Sequence, residues 1–199
     1  MKRFSITLLV FVIFLLLLYG FGTGRLHISP LKLSSLPVRA AGPAPACCDV
    51  TGTPTVSAAF INRVLTYYHS PASGIGATIY ALGVKYDINP VYALAFFMHE
   101  SSFGTAGMAT VTFSPGNLRC AAGFPCINGY RAYSSWASGF ASWYDLIRNL
   151  YIDQWHLTTV ERIIPTYAPT GDSNDVAAYI AAVERAVTSW QRGHVEVAA

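Results

Sequence analysis

Between Asn89 and Thr105 the chain reads NPVYALAFFMHESSFGT, and this stretch limits the fold more than any other. Asn89 is placed to cap a helix with its side chain, and Pro90 suits the first helical position, where a missing N–H costs nothing. Val91, Leu94 and Met98 fall on one stripe, Tyr92 and Phe96 on another, so the helix is apolar on nearly every face. Such a rod has to be buried, with other elements wrapped around it. Its end differs in character: Glu100 is the first acidic residue after Asp87, followed by Ser101, Ser102 and then Gly104 as the expected helix stop. A carboxyl group there faces low-dielectric packing and the negative end of the helix dipole, and both raise its pKa. A glutamate held protonated in this way can act as a general acid near neutral pH. The ordinary alternative is a helix-end glutamate paired with an arginine, since ion-paired structural carboxylates are also perturbed.

The flanking sequence supplies the wrapping. Ser57 caps a predicted helix whose apolar face is Phe60, Ile61, Val64, Leu65 and Tyr68. A second helix is expected from Gly74 to Tyr86, leading through Asp87 and Ile88 into the Glu100 helix. Met108 to Tyr133, rich in Gly, Pro, Thr and Cys, predicts a small loop-rich or β lobe, with Thr110 to Phe113 as a short β-like piece. A long helix is expected from Ser135, with Trp136, Phe140, Trp143, Ile147 and Leu150 on one face. The last starts near Ser173 and carries Val176, Tyr179, Ile180, Val183, Val187 and Trp190 at helical spacing. The pattern is a mainly α domain with one irregular insertion.

Met1 to Arg3 carry two positive charges, and Phe4 to Gly22 is an uninterrupted uncharged run. Its length is close to the roughly 20 residues that span a bilayer as a helix. With the charges on its N-terminal side, everything after Gly24 is expected outside the cytoplasm. Residues 1–24 thus read equally as a signal peptide or as an uncleaved anchor holding the chain to the membrane through residues 4–22. Residues 25–54, with Pro30, Pro37, Pro43, Pro45 and Pro54, read as an extended linker, residues 55–193 as the globular domain and residues 194–199 as a tail. Cys120 and Cys126 read as a small disulfide loop of an oxidising compartment, with Cys47 and Cys48 as a second, adjacent pair of open connectivity. No histidine lies at zinc-ligand spacing beside them, and neither a metal nor an organic cofactor is indicated. From Val50 onward eight Lys or Arg stand against nine Asp or Glu, which argues against nucleic acid as a partner.

His99-Glu100-Ser101-Ser102-Phe103-Gly104-Thr105 resembles the E-S-x-[FW]-G-[TS] signature of the bacterial glucosaminidases, endo-β-N-acetylglucosaminidases of the lysozyme-like superfamily. The lead-in Tyr86 to Pro90 is similar to theirs, as are Gly116-Asn117-Leu118-Arg119, Tyr130-Arg131-Ala132-Tyr133 followed by Trp136, Gly139, Phe140 and Trp143, and a closing block of Tyr167-Ala168-Pro169, Asn174-Asp175 and Tyr179. The blocks occur in the family's order between Tyr86 and about Trp190. The resemblance implies a lysozyme-like helical domain that cleaves β-1,4 bonds of peptidoglycan, or of a related GlcNAc-containing glycan, with Glu100 as proton donor.

Glycoside hydrolases commonly use a second carboxylate. No Asp or Glu occurs between Glu100 and Asp145, so the insertion lobe cannot supply one. Asp172 or Asp175 could come round to the cleft, although acids at a helix start are ordinary caps. Otherwise the substrate's N-acetyl group assists, or Glu100 acts alone as in lytic transglycosylases, whose usual Gly-Leu-Met-Gln block is absent here. Tyr130, Tyr133 and Tyr167 are candidates for stacking on or hydrogen-bonding to sugar, and Asn117 for positioning substrate. Trp136, Phe140, Trp143 and Trp190 are expected in the core and His99 in a structural role. A non-catalytic module that binds cell-wall glycan is the reading from a different class.

Overall fold

The computed structural model describes residues 48–198; the N-terminal hydrophobic segment, most of the linker and Cys47 lie outside the described residues. At its centre a helix, α3, runs Pro90–Ser101, and its residues from Pro90 to Phe97 are all buried. Asn89 caps it as expected, its Oδ1 accepting from the Val91 N–H and from Thr55. The stop comes two residues before Gly104. Ser102 turns to φ 48°, its N–H returning to the carbonyls of Phe97 and Met98. Phe103, at φ 58°, then drops into the core against Tyr68, Phe97 and Trp190. Gly104 follows at φ 81°, where a Cβ would strike the Trp136 ring.

Two helices lead in. The first, α1 (Ala58–Tyr67), is capped by Ser57 and buries the predicted face of Phe60, Ile61, Val64 and Leu65. The second, α2 (Gly76–Tyr86), begins two residues later than expected and packs on α1. After α3 comes a correction: the β-like piece at Thr110 to Phe113 is a single helical turn, α4 (Ala109–Thr112). The β-branched residues are held helical because Thr110 and Thr112 return their hydroxyls to the carbonyls of Gly107 and Met108. A small antiparallel hairpin follows, β1 (Cys126–Ile127) with β2 (Tyr130–Arg131), turned at Asn128 and Gly129 with positive φ at both. The expected disulfide joins Cys120 to Cys126, with Cα atoms 5.6 Å apart.

Helix α5 (Trp136–Leu146) starts from a capping box of Ser135 and Ser138 and runs into a π-helical stretch, Ile147–Gln154. That change of pitch moves the buried face from the expected Leu150, which is half-buried, to Tyr151 and Ile152. An unforeseen helix, α6 (Val160–Tyr167), carries Pro165 and buries Val160, Ile163 and Ile164. After a 3-10 turn, Thr170–Asp172, the last helix α7 (Val176–Gln191) begins with Asp175 as its cap, two residues beyond the expected start. It packs on α3 and α6 and buries Tyr179, Val183, Ala186, Val187 and Trp190. The four aromatics assigned to the core, Trp136, Phe140, Trp143 and Trp190, are all there.

Both ends of the described chain differ from expectation. Residues 48–51 were expected in the linker, yet Val50 is buried, donating to the Thr158 carbonyl and accepting from Asn89. Residues 194–197 were expected as a tail, yet the Val195 carbonyl accepts from the Trp190 indole and the Val197 N–H donates to the Tyr68 hydroxyl. Backbone groups bonded in this way to the core behave as part of it. Among the described residues, no helix is long and apolar enough to cross a membrane.

Candidate active site

Glu100 lies at the end of the buried rod, and its carboxyl group is met by donors from two other parts of the chain. The Tyr179 hydroxyl, brought in by α7, donates to Oε1 over 2.7 Å. Asn117, in the turn after α4, donates its amide to Oε2 at 3.2 Å and to the Glu100 backbone carbonyl at 2.8 Å. One side chain therefore closes the C-terminal end of α3 and orients its carboxyl group. Asn117 sits at φ 47°, a left-handed conformation that asparagine tolerates better than most residues.

Burial pushes the Glu100 carboxyl up from its ordinary range, against the opposing pull of the Tyr179 and Asn117 hydrogen bonds and the Arg119 charge. The expected direction is thus found, with desolvation as the dominant cause. Tyr179 is itself buried, and burial together with the nearby Glu100 raises its hydroxyl well above the usual phenol range, so it remains a donor. His99 stacks its ring on Tyr179 at 3.7 Å between centroids, which backs that phenol against the carboxyl group. His99 remains exposed as a residue, but desolvation of its ring lowers its pKa and favours the neutral imidazole.

Glu100 opens into a cavity of about 480 Å³, whose wall includes Asn117, Arg119, Tyr130, Tyr167 and Asp172. Of the predicted site residues, Glu100, Asn117, Tyr130, Tyr167 and Asp172 are therefore brought together. Tyr167 donates its hydroxyl to the Gly116 carbonyl and stands edge-on to Phe96, at 5.2 Å between centroids. A Cβ at Gly116 would collide with that hydroxyl and with Trp143, so only glycine lets the turn approach. Tyr151, which the π-helical stretch directs to the same cavity, is pushed up to about 12 by burial.

Two predicted residues do not line this cavity. Tyr133 donates its hydroxyl to Ser142 at 2.8 Å. Asp175 accepts from the Ala178 N–H at 2.9 Å as the cap of α7 and borders a separate hollow with Thr170 and Ile180. Three contributors were missed as site residues: Tyr179, Arg119 and Tyr151. Tyr179 and Arg119 stand inside blocks already singled out, but helical spacing marks Tyr179 only as core. Tyr151 depends on a change of helical pitch that the residue pattern does not announce.

No protein-family model matches the chain, and no curated protein matches it in sequence. Solved structures do match in fold. Autolysin E of S. aureus in complex with the muropeptide NAM-L-Ala-D-iGlu superposes with a TM-score of 0.51 at 14% identity, over 74% of this chain and 72% of that one. Autolysin E of S. aureus determined separately gives 0.50 at 15% identity over the same shares. At such identity the likeness is one of fold: this mainly helical chain with its small antiparallel hairpin is built along the lines of autolysin E.

Proposed function

We propose that the protein is a peptidoglycan hydrolase of the N-acetylglucosaminidase type, acting outside the cytoplasm on β-1,4 bonds of the glycan strand. The observation that carries this reading is the half-buried Glu100, its carboxyl group raised by desolvation and gripped by Tyr179 and Asn117 at the wall of an open cavity. The muropeptide bound by autolysin E supports the substrate class, and the Cys120–Cys126 disulfide supports an oxidising compartment.

In this reading Glu100, protonated, gives its proton to the glycosidic oxygen as the bond to the anomeric carbon breaks. The carboxylate left behind accepts from Tyr179 and Asn117, and hydrogen bonds to an ionised acceptor are stronger than to the neutral acid. These donors thus act on the charge that develops during the reaction. Of the two candidate second acids, Asp172 is the one on the cavity wall and is the base in a hydrolytic mechanism. Tyr130 and Tyr167 line the cavity and are the candidates for contact with sugar.

The acid-free stretch from Ser101 to Tyr144 favours a second chemistry, that of a lytic transglycosylase in which Glu100 serves first as acid and then as base. Mass spectrometry of purified peptidoglycan digested by wild type and by Glu100→Gln separates the possibilities. Reducing N-acetylglucosamine ends that vanish in the variant are the expected result. Anhydro-muramic ends would assign the transglycosylase, whereas no products from the wild type would leave a glycan-binding module.

A further inference from the structure

Two guanidinium groups stand on the cavity wall, and they are held differently. Arg131 is committed to the hairpin: its Nε donates to the Arg119 carbonyl at 2.9 Å and its guanidinium lies 4.5 Å from the Phe124 ring centroid. Arg119 is held loosely. Its side chain is 66% exposed, it lies 4.9 Å from the Tyr130 centroid, and its charged partner is Asp172 at 3.5 Å, itself 52% exposed. An exposed pair of this kind contributes little and exchanges readily with other ions. Yet the Arg119 charge reaches Glu100, where it opposes the effect of burial on the carboxyl group. The cavity therefore offers, near its acid, a guanidinium that a carboxylate could capture bidentately.

Resting on the glycan reading above, we propose that Arg119 is a substrate anchor: a carboxylate on the glycan displaces Asp172 from it, so the site takes acidic glycan in preference to neutral. The carboxylate is that of the muramyl ether or that of a peptide attached to it. On displacement the Arg119 guanidinium keeps its place over Tyr130, and Asp172, released from its ion pair, stays on the cavity wall as the base of the reading above. Arg119 then sets which sugar faces Glu100, by holding the acidic unit beside Tyr130.

The test is calorimetric binding to the full chain carrying Glu100→Gln, which prevents turnover, with and without Arg119→Gln. Three probes are used: a peptide-free GlcNAc–MurNAc tetrasaccharide, the same sugar with its carboxyls converted to amides, and the same sugar with those carboxyls joined to L-Ala–D-isoGlu. Arg119→Gln is expected to weaken the free-acid sugar about tenfold and leave the amide form unchanged, in keeping with loss of a charge-assisted pair. A loss confined to the peptide-bearing sugar assigns the anchor to the peptide carboxylate instead. Asp172→Asn in the same background removes the competing anion and should tighten whichever probe Arg119 holds. Equal effects on charged and amidated sugar, or no effect on any, overturn the proposal while leaving the glycan reading in place. Binding of none of the three by the parent overturns both. Only exposed contacts of the Arg119 side chain are lost, and Arg131 bonds its backbone, so the hairpin stays folded in the variant.

Discussion

The hydroxyl of Tyr179 and Oε1 of Glu100 lie 2.7 Å apart, although 79 positions separate the two residues in the chain. This contact exists because α7 packs along α3, and it places a buried phenol on the acid that the proposed chemistry needs. A donor to a carboxylate favours the charged form. Removing it in Tyr179→Phe should therefore raise the Glu100 pKa further, moving the alkaline limb of the kcat profile to higher pH. Loss of orientation should also reduce kcat by about 10- to 100-fold. A pH series of initial rates checks both, and an unmoved limb would show that the phenol does not govern the acid.

Glu100→Gln should remove activity by about 10²- to 10⁴-fold, the usual contribution of general acid catalysis. It should also stabilise the fold near neutral pH. A carboxyl whose folded pKa is raised keeps its proton longer in the native state, so wild-type stability is fully present below the unfolded pKa and declines as pH rises through the folded one. The neutral amide escapes that decline. Thermal melts from acid to neutral pH should show the variant's advantage growing with pH, and a constant difference would contradict the assignment of burial as the cause.

Asp175→Ala should lower stability by about 0.5–2 kcal/mol, the ordinary value of a helix cap, through loss of the bond to the Ala178 N–H. Because Asp175 borders a different hollow from Glu100, turnover per folded molecule should stay near that of wild type. Denaturant titration beside a rate measurement decides this. A large fall in kcat with unchanged stability would bring Asp175 back as a catalytic acid.

Gly139→Ala should destabilise by about 1–3 kcal/mol, as overpacking does. A Cβ at Gly139 would overlap the Phe113 carbonyl and crowd Pro115, so α5 would have to move off the turn that carries Asn117. The amide of Asn117 would move with it, and activity should fall alongside stability. A shift in melting temperature without any change in rate would separate the packing of that turn from the placement of Glu100.

Much of this protein follows from local sequence. Asn89, Ser57 and Ser135 cap helices where hydroxyl and amide side chains stand before apolar periodicity, because capping depends on groups within three residues. The central rod is buried because it has no polar face, and Glu100, half-buried at its end, is raised because the packing there takes water from its carboxyl group. The Cys120–Cys126 loop was legible from spacing. The Asn128-Gly129 turn carries a hairpin signal of its own, unread only because the strands beside it are two residues long.

What local sequence left open is whatever depends on pitch or on distant partners. Thr110 to Thr112 carry β-branched residues, yet hydroxyl bonds to the preceding carbonyls hold them helical. Pro165 hides α6, and the packing of Val160, Ile163 and Ile164 overrides its missing donor. Asp172 and Asp175 are three residues apart and equivalent by composition, but a left-handed Ser173 divides them, leaving one on the Glu100 cavity and the other on the end of α7. By itself the sequence determined that a buried helix ends in a perturbed acid, since burial and periodicity are properties of a short segment. Only the tertiary structure decided that Tyr179, Asn117 and Arg119 surround that acid, because hydrogen bonds and charge act over a few ångströms of space whatever the separation along the chain.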